Sequence, residues 1–318
     1  MSFLIARNIS KQYENEHLAL DNVSISLEKG KVISLIGESG SGKSTLLRIL
    51  AGLENQDSGE VYLGEKVIQK PSERLVPDYD EVKLIHQDFS LYPNSTVKEN
   101  IARPLLKYEK DYAEQRIEEI LGLLNLDAHK DKFPRQLSGG QQQKVAIGRA
   151  LGPEPELLLL DEPFSNLDII QKRELIYELR EIFEVLQMTV VFVTHDLDDA
   201  LQLSDTLIVM GKGKILQEGN AAELNTRPNN LYVAKLFSPL NPIPGMENTF
   251  VRPSDLTLLK SNGIKCRVLV SQYLAQFNLL TVRLETSGDI WKVQDNQRRF
   301  EVGKILWLRY DEDKLLRF

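Results

Sequence analysis

The nine residues Gly37-Glu38-Ser39-Gly40-Ser41-Gly42-Lys43-Ser44-Thr45 constrain this chain more than any other feature. They follow a strand-like run, Val32–Ile36, and precede Leu46, Leu47, Ile49 and Leu50, which fall at helical spacing. A buried strand, a glycine-rich turn and a helix, in that order, build a cradle for an anion. Glycines let the backbone wrap closely and point its N–H groups inward. The helix N-terminus adds partial positive charge. In such a loop Lys43 reaches the β- and γ-phosphates of a nucleotide, and the Ser44 hydroxyl ligates Mg2+. The expected nucleotide contacts are Gly37, Ser39, Gly40, Gly42, Lys43, Ser44 and Thr45, with a nucleoside triphosphate and Mg2+ as the bound species.

The rest of the chain supplies a fold for that loop. Strand-like runs at 32–36, 83–86, 157–160 and 189–194 alternate with helical patterns, which predicts a parallel sheet covered on both faces. After Asp168, the residues Leu175, Leu179, Ile182 and Leu186 share one stripe, with Ile176 and Phe183 beside it. The stretch 111–124 repeats the pattern with Ile117, Ile120, Leu121 and Leu124, and opens with Asp111 and Glu114 at capping-box spacing. Short, turn-rich strands before residue 30 and near 60–68 predict a small antiparallel sheet beside the main one. Residues 206–210 and 214–219, around Gly211-Lys212-Gly213, read as a hairpin. A last helix near 230–237 precedes 238–245, where Pro239, Pro242, Pro244 and Gly245 mark a linker. Beyond it only short strands are expected, at 265–270, 279–284, 290–293 and 305–309, making a small β domain of barrel type. The predicted division is therefore a first domain over 1–237, a linker over 238–246 and a β domain over 247–318.

Charge and cysteine content narrow the function classes. The net charge is -7, and from Glu247 onward there are 12 Lys/Arg against 9 Asp/Glu. The first domain then stands near -10, a poor surface for nucleic acid. The single cysteine, Cys266, can form neither an intrachain disulfide nor a thiolate zinc cluster, and reads as a small buried residue. No stretch reaches the roughly 18–20 apolar residues that span a bilayer. Residues 1–10 lack the apolar core of a signal peptide. The expected location is the cytoplasm, with any membrane role exercised through a partner.

Two further motifs fix the class. The run 157–160 followed by Asp161-Glu162 fits the Walker B pattern, as 37–45 fits Walker A. An acid at the end of a buried strand can hold Mg2+, and Glu162 is placed to polarise an attacking water. In Leu137-Ser138-Gly139-Gly140-Gln141, Ser138 is an N-cap and Gln141 sits three residues on, as in a capping box. The two glycines leave a second anion-binding helix end, although one nucleotide needs only one. This set resembles the signature of ABC (ATP-binding cassette) ATPases.

The resemblance implies an α/β P-loop NTPase. It comprises a mostly parallel sheet with helices, an antiparallel β subdomain and a helical subdomain, followed by a small all-β, OB-like C-terminal domain. It also implies a head-to-tail homodimer in which Ser138, Gly139, Gly140 and Gln141 of one copy cap the ATP held by the other. By the same resemblance Tyr13 stacks on adenine, Gln87 touches Mg2+ and the attacking water, and His195 contacts the γ-phosphate. Asp168, in Ser165-Asn166-Leu167-Asp168, crosses the dimer interface or caps the following helix; both can hold. Residues 91–100, with Thr96 and Glu99 as a capping box, resemble the segment beneath the coupling helix of a permease. Val251-Arg252-Pro253-Ser254-Asp255 resembles the entry to the transport-associated OB-like domain (TOBE) of importer ATPases for sugars, polyamines, ferric iron, sulfate and molybdate. The stretch 138–168 looks most like the iron and polyamine branch. The implied partners are a second copy, membrane permease subunits at the inner face of the cell membrane and an extracytoplasmic substrate-binding protein, with no nucleic acid. The alternative is a non-transport ABC ATPase acting on nucleic acid or ribosomes. Those proteins usually carry two cassettes, coiled-coil insertions or zinc clusters, none of which this sequence shows. Three positions depart from the pattern: Ala275 where Gly is common, and Gly148 and Gly152 where Ala is usual. Each of these glycines would cost up to about 1 kcal/mol of helix stability.

Overall fold

The computed structural model describes residues 2–13, 18–73 and 79–318. The chain forms two compact units, Met1–Ala221 and Ala222–Phe318.

In the first unit a six-stranded sheet runs in the order Lys214–Gly219, Thr206–Gly211, Val32–Ile36, Thr189–Thr194, Leu157–Asp161 and Val82–Ile85. The first pair is the expected antiparallel hairpin and the other neighbours are parallel. Leu157–Asp161 and Thr189–Thr194 are buried at every position, so no inside–outside alternation is seen. That is the pattern of strands covered on both faces. Register places Ile36 beside Thr194, Asp161 beside Val193 and Ile85 beside Leu160. The segments that follow these strands, carrying Gly37, His195, Glu162 and Gln87, therefore leave the sheet along one carboxyl edge, where open α/β sheets bind ligands.

Beside it lies an antiparallel sheet in the order Leu18–Glu28, Ser2–Gln12, Ser58–Leu63 and Lys66–Val67. Two of its strands have 11 residues, longer than the short strands expected. Leu20, Val23, Ile25 and Leu27 share a core with Leu46, Leu47, Ile49 and Leu50 of the helix Lys43–Leu50. A second core joins the helices Val97–Ala102, Lys110–Leu123, Gly139–Leu151 and Ile169–Val185. The Thr96–Glu99 capping box forms: Glu99 N–H donates to Thr96 Oγ1 at 3.2 Å and Thr96 N–H to Glu99 Oε2 at 2.6 Å. The Asp111–Glu114 box does not. The helix starts one residue earlier than Asp111, at Lys110 after Glu109, with no side-chain cap. Asp111 is already in the first helical turn, where its charge favours the N-terminus but its side chain cannot cap.

Gly148 reverses its expected sign. A Cβ there would sit 2.9 Å from both Ile120 Cγ2 and Leu124 Cδ1, and both side chains are buried. Gly148→Ala gains about 1 kcal/mol of helix propensity but meets an overpacking cost of about 1–3 kcal/mol. We expect a lower urea midpoint with an unchanged slope; a raised midpoint would mean that Ile120 and Leu124 repack freely.

The second unit holds a five-stranded antiparallel sheet ordered Thr257–Leu259, Ile305–Arg309, Ile264–Leu274, Phe277–Leu284 and Ile290–Asp295. Trp291, Val293, Val268, Leu280 and Leu306 fill its core. Ile264–Leu274 has 11 residues, again longer than expected. The proline-rich stretch is folded into this unit. Asn241–Pro242 pairs with Val251 and Phe250, Asn241 exchanges hydrogen bonds with the Lys292 backbone, and Trp291 Nε1 donates to Pro242 O at 3.1 Å. Ala275 has φ +42°, the left-handed conformation that a glycine would adopt without strain. Cys266 is buried as expected, and burial pushes its thiol up to about 12, which leaves it unreactive.

Candidate functional site

The phosphate loop is held by close backbone contacts. At Gly42 φ is +97°, and a Cβ would lie 2.3 Å from Ala19 O; at Gly37 it would lie 2.2 Å from Met210 O. No side chain fits at either position. Lys43, only 6% exposed, folds back so that Nζ donates to Gly37 O at 2.8 Å, Glu38 O at 2.9 Å and Ser41 Oγ at 3.3 Å. Burial lowers its pKa, against the opposing pull of Glu162 and Asp161. A desolvated ammonium whose present partners are weak neutral acceptors is poised to take a phosphate in their place.

Ser44 Oγ donates to Asp161 Oδ1 at 2.9 Å. A hydroxyl and a carboxylate thus converge at the end of the Walker B strand, a donor set of hard oxygens suited to Mg2+. Among the described residues no three His, Cys, Asp or Glu cluster as metal ligands. Mg2+ commonly takes one or two protein carboxylates plus substrate phosphates, and the Ser44–Asp161 pair fits that pattern.

Glu162 follows in the left-handed region at φ +47°, with its N–H donating to Val193 O at 3.1 Å. That strained turn carries its carboxylate off the strand axis to 3.3 Å from His195 Nδ1. Gln87 Nε2 donates to Ser165 Oγ at 3.2 Å, Asn166 Nδ2 to Gln87 O at 3.1 Å and Ser165 Oγ to Glu162 O at 3.0 Å. Gln87, Glu162 and the 165–168 loop are therefore one hydrogen-bonded assembly. Beside them opens a cleft of about 560 Å³ lined by Arg48, His86, Gln87, Asp161 and Asn166. Tyr13 stands over the helix after the loop, its hydroxyl bonded to Glu54 Oε1 at 2.5 Å and Thr45 Oγ1 at 3.2 Å. Burial and the Glu54 carboxylate raise its pKa, and the residue remains 42% exposed.

None of the signature residues 138–141 lines that cleft. Ser138 caps the helix Gly139–Leu151: its Oγ accepts from Gln141 N–H at 3.3 Å, and Gln141 Oε1 accepts from Ser138 N–H at 3.1 Å. Gln141 Nε2 is 3.1 Å from His129 Nε2. A Cβ on Gly139 would meet Leu167 Cδ2 at 2.9 Å, so the glycine lets this helix end abut the 165–168 loop. Gly140 is buried, and a Cβ built on it would have Gln171 Oε1 as its neighbour at 3.8 Å. Asp168 caps the next helix, accepting from the N–H groups of Ile170 and Gln171 at 3.0 Å. The structure thus gathers Tyr13, the phosphate loop, Gln87, Asp161, Glu162 and His195 along one edge, with a second helix end, capped by Ser138, against the 165–168 loop.

Residues that sequence reasoning missed support these. Asn100 is fully buried and ties down the 91–100 segment: Nδ2 donates to the carbonyls of Tyr92, Ser95 and Thr96, and Oδ1 accepts from Tyr92 N–H. Arg149 donates to Ser90 O at 2.6 Å and Phe89 O at 3.0 Å. Lys172 reaches Asp196 Oδ2 at 2.5 Å and Asp199 Oδ1 at 2.6 Å. The one available signal was the i, i+3 pair of acids after His195, and nothing in the sequence showed that a lysine from another helix would meet them.

A family model described as ABC transporter matches residues 20–165. A probable sulfate/thiosulfate import ATP-binding protein, CysA of Chlorella vulgaris, is 44% identical over 241 residues, covering 74% of this chain and 99% of the relative. The glucose import ATP-binding protein GlcV of Saccharolobus solfataricus is 39% identical over 246 residues, covering 76% and 70%. Among solved structures, the ATP-binding cassette MJ0796, a dimer in a post-hydrolysis state with ADP and Pi, superposes with a TM-score of 0.61 at 33% identity, covering 68% of this chain and 98% of that one.

Proposed function

This chain belongs to the ABC transporter family, and from that premise we propose that it is the ATPase subunit of a membrane importer, working as a head-to-tail pair with a second copy. The observation that carries the proposal is the Glu162–His195 pair at 3.3 Å beside the Ser44–Asp161 pair at 2.9 Å. A base with its orienting partner and an oxygen pair for a cation meet where the phosphate loop opens.

ATP enters with adenine against the Tyr13 ring and its phosphates within the N–H groups of Gly37, Ser39, Gly40, Gly42, Lys43, Ser44 and Thr45. Lys43 exchanges its carbonyl partners for β- and γ-phosphate oxygens. Ser44, Asp161 and Gln87 would hold Mg2+, which neutralises phosphate charge when bound. Glu162 accepts a proton from the attacking water, and His195 supports the γ-phosphate. Ser138, Gly139, Gly140 and Gln141 of the second copy close the site, with Asp168 at the interface. Catalysis is then positioning and electrostatics, as phosphoryl transfer requires.

The same reading assigns 1–237 to the cassette, 238–246 to the connection and 247–318 to an OB-like TOBE domain. Among the described residues no helix is long and apolar enough to cross a membrane. Force would instead reach a permease at the inner face of the cell membrane through the Gln87–Asn100 region, where Asn100 hydrogen-bonds to the backbone of Tyr92, Ser95 and Thr96. The two relatives are named for different cargoes, sulfate/thiosulfate and glucose. This fits selection by the permease and an extracytoplasmic binding protein rather than by this chain. The acidic first domain disfavours the nucleic-acid alternative. The test is to purify the chain from its native membranes and identify its companions by mass. A multi-spanning permease supports the proposal; ribosomal or DNA-repair proteins without one would replace transport by the alternative.

A further inference from the structure

The Lys172 ammonium sits between two carboxylates from a different element. It donates to Asp196 Oδ2 at 2.5 Å and forms an ion pair with Asp199 Oδ1 at 2.6 Å, outside hydrogen-bonding angles. Asp199 is buried, and its other oxygen accepts from Thr194 Oγ1 at 3.2 Å. The same hydroxyl accepts from Asp196 N–H at 3.0 Å, and Asp196 Oδ1 caps the helix Leu197–Leu203 by accepting from Asp198 N–H at 2.9 Å. The residue between Thr194 and Asp196 is His195. Lys172 itself belongs to Ile169–Val185, the helix that Asp168 caps.

We infer that Lys172 is a positioning residue: by gripping Asp196 and Asp199 it fixes the His195 loop relative to the helix that begins at Asp168. A small cavity of about 120 Å³ bears this out in space, since Glu162, Ser165, Lys172, His195, Asp196 and Asp199 all line it. Asp198, the other acid of this turn, is exposed and has no part in the grip. The charges are unevenly shared. For Asp196, burial is outweighed by the Lys172 bond and the Asp198 N–H, which hold it below the usual carboxylate range. For Asp199, burial prevails, helped by the Asp196 charge, and lifts it above that range. Removing the ammonium would therefore leave two acids facing each other, one of them buried, and push the loop apart. Because Asp168 caps the same helix, a movement of the 165–168 loop would be transmitted to His195 through Lys172 without passing through the nucleotide.

The inference rests on the proposed role of His195, and the test separates the two. Steady-state ATP hydrolysis and equilibrium ATP binding are measured for the full chain as Lys172→Met, Lys172→Arg, His195→Ala and Lys172→Met/His195→Ala. We expect Lys172→Met to lower kcat by about 10²-fold, the scale of an ångström-size misplacement of a catalytic group, with KM and ATP affinity changed less than about twofold. Lys172→Arg, whose guanidinium can also span two carboxylates, should recover most of the rate. In the His195→Ala background Lys172→Met should cost little more, because both changes then remove the same contribution. Wild-type turnover by Lys172→Met, or an undiminished cost in the His195→Ala background, would overturn the inference. Wild-type turnover by His195→Ala would overturn the role of His195 and the inference with it. Should Lys172→Met not fold, Lys172→Met/Asp199→Asn removes the buried charge together with the lysine and supports the same comparison.

Discussion

Glu162→Gln should lower steady-state ATP hydrolysis by at least about 10²-fold, the lower end of what a positioned general base contributes, while ATP still binds. The substitution keeps the shape of the side chain and the left-handed turn at φ +47° that aims it. It keeps a hydrogen-bonding group 3.3 Å from His195 Nδ1 but removes the carboxylate that accepts a proton from water. Asp161, Ser44 and Lys43 are untouched, so the phosphate site should fill normally. With closure intact and hydrolysis blocked, the ATP-bound pair should persist, doubling the sedimenting mass from the 36.2 kDa of one chain. Phosphate release and sedimentation velocity in the presence of Mg-ATP read both effects. Turnover at the wild-type rate would move the base elsewhere.

Lys43→Ala acts one step earlier, on binding. The wild-type ammonium is already stripped of water, and its three present acceptors are neutral oxygens. Its bonds to phosphate are formed without a further desolvation cost, which favours strong charge-assisted contacts. Two such contacts, each contributing about 1.5–3 kcal/mol, imply a loss of at least about 10²-fold in ATP affinity. Calorimetric titration with ATP measures it. The glycines at 37 and 42 and the helix Lys43–Leu50 do not depend on the side chain, so the circular dichroism spectrum should be unchanged. Affinity within a fewfold of wild type would mean that the backbone N–H groups alone hold the nucleotide.

How much of this was legible depends on how local each cause is. The bounds of Val32–Ile36 and Thr189–Thr194 agree to the residue with those expected, because a strand covered on both faces is mostly apolar, here broken only by Ser34 and ended by Thr189 and Thr194. The Thr96–Glu99 and Ser138–Gln141 boxes were legible because capping is settled within four residues. Asp111–Glu114 has the same spacing and failed. There the chain arrives from a 3-10 turn at Arg103–Leu105, with Tyr108 N–H bonded to Leu105 O, and the helix is already running at Lys110. That start is chosen by packing rather than by the acids. Gly148 was misjudged for a similar reason: propensity is a property of one helix, whereas Ile120 and Leu124 come from its neighbourhood. Within the candidate site, the residue types and their order were visible. The left-handed turn at Glu162 and the Lys172 grip were not, since one is a backbone strain and the other joins residues 24 apart.

The central claim is that each ATP lies between the phosphate loop of one copy and the signature helix of the other. Mixing two inactive chains tests it most directly. Lys43→Ala spoils the phosphate loop and leaves the signature intact; Ser138→Arg does the reverse. Alone, neither should hydrolyse ATP, because every site in either pair contains one broken half. In a mixed pair, one site joins the good loop of one chain to the good signature of the other. Random pairing makes half the dimers mixed with one intact site each, so activity should return to about a quarter of wild type. A mixture as inactive as its parents would contradict the head-to-tail sandwich.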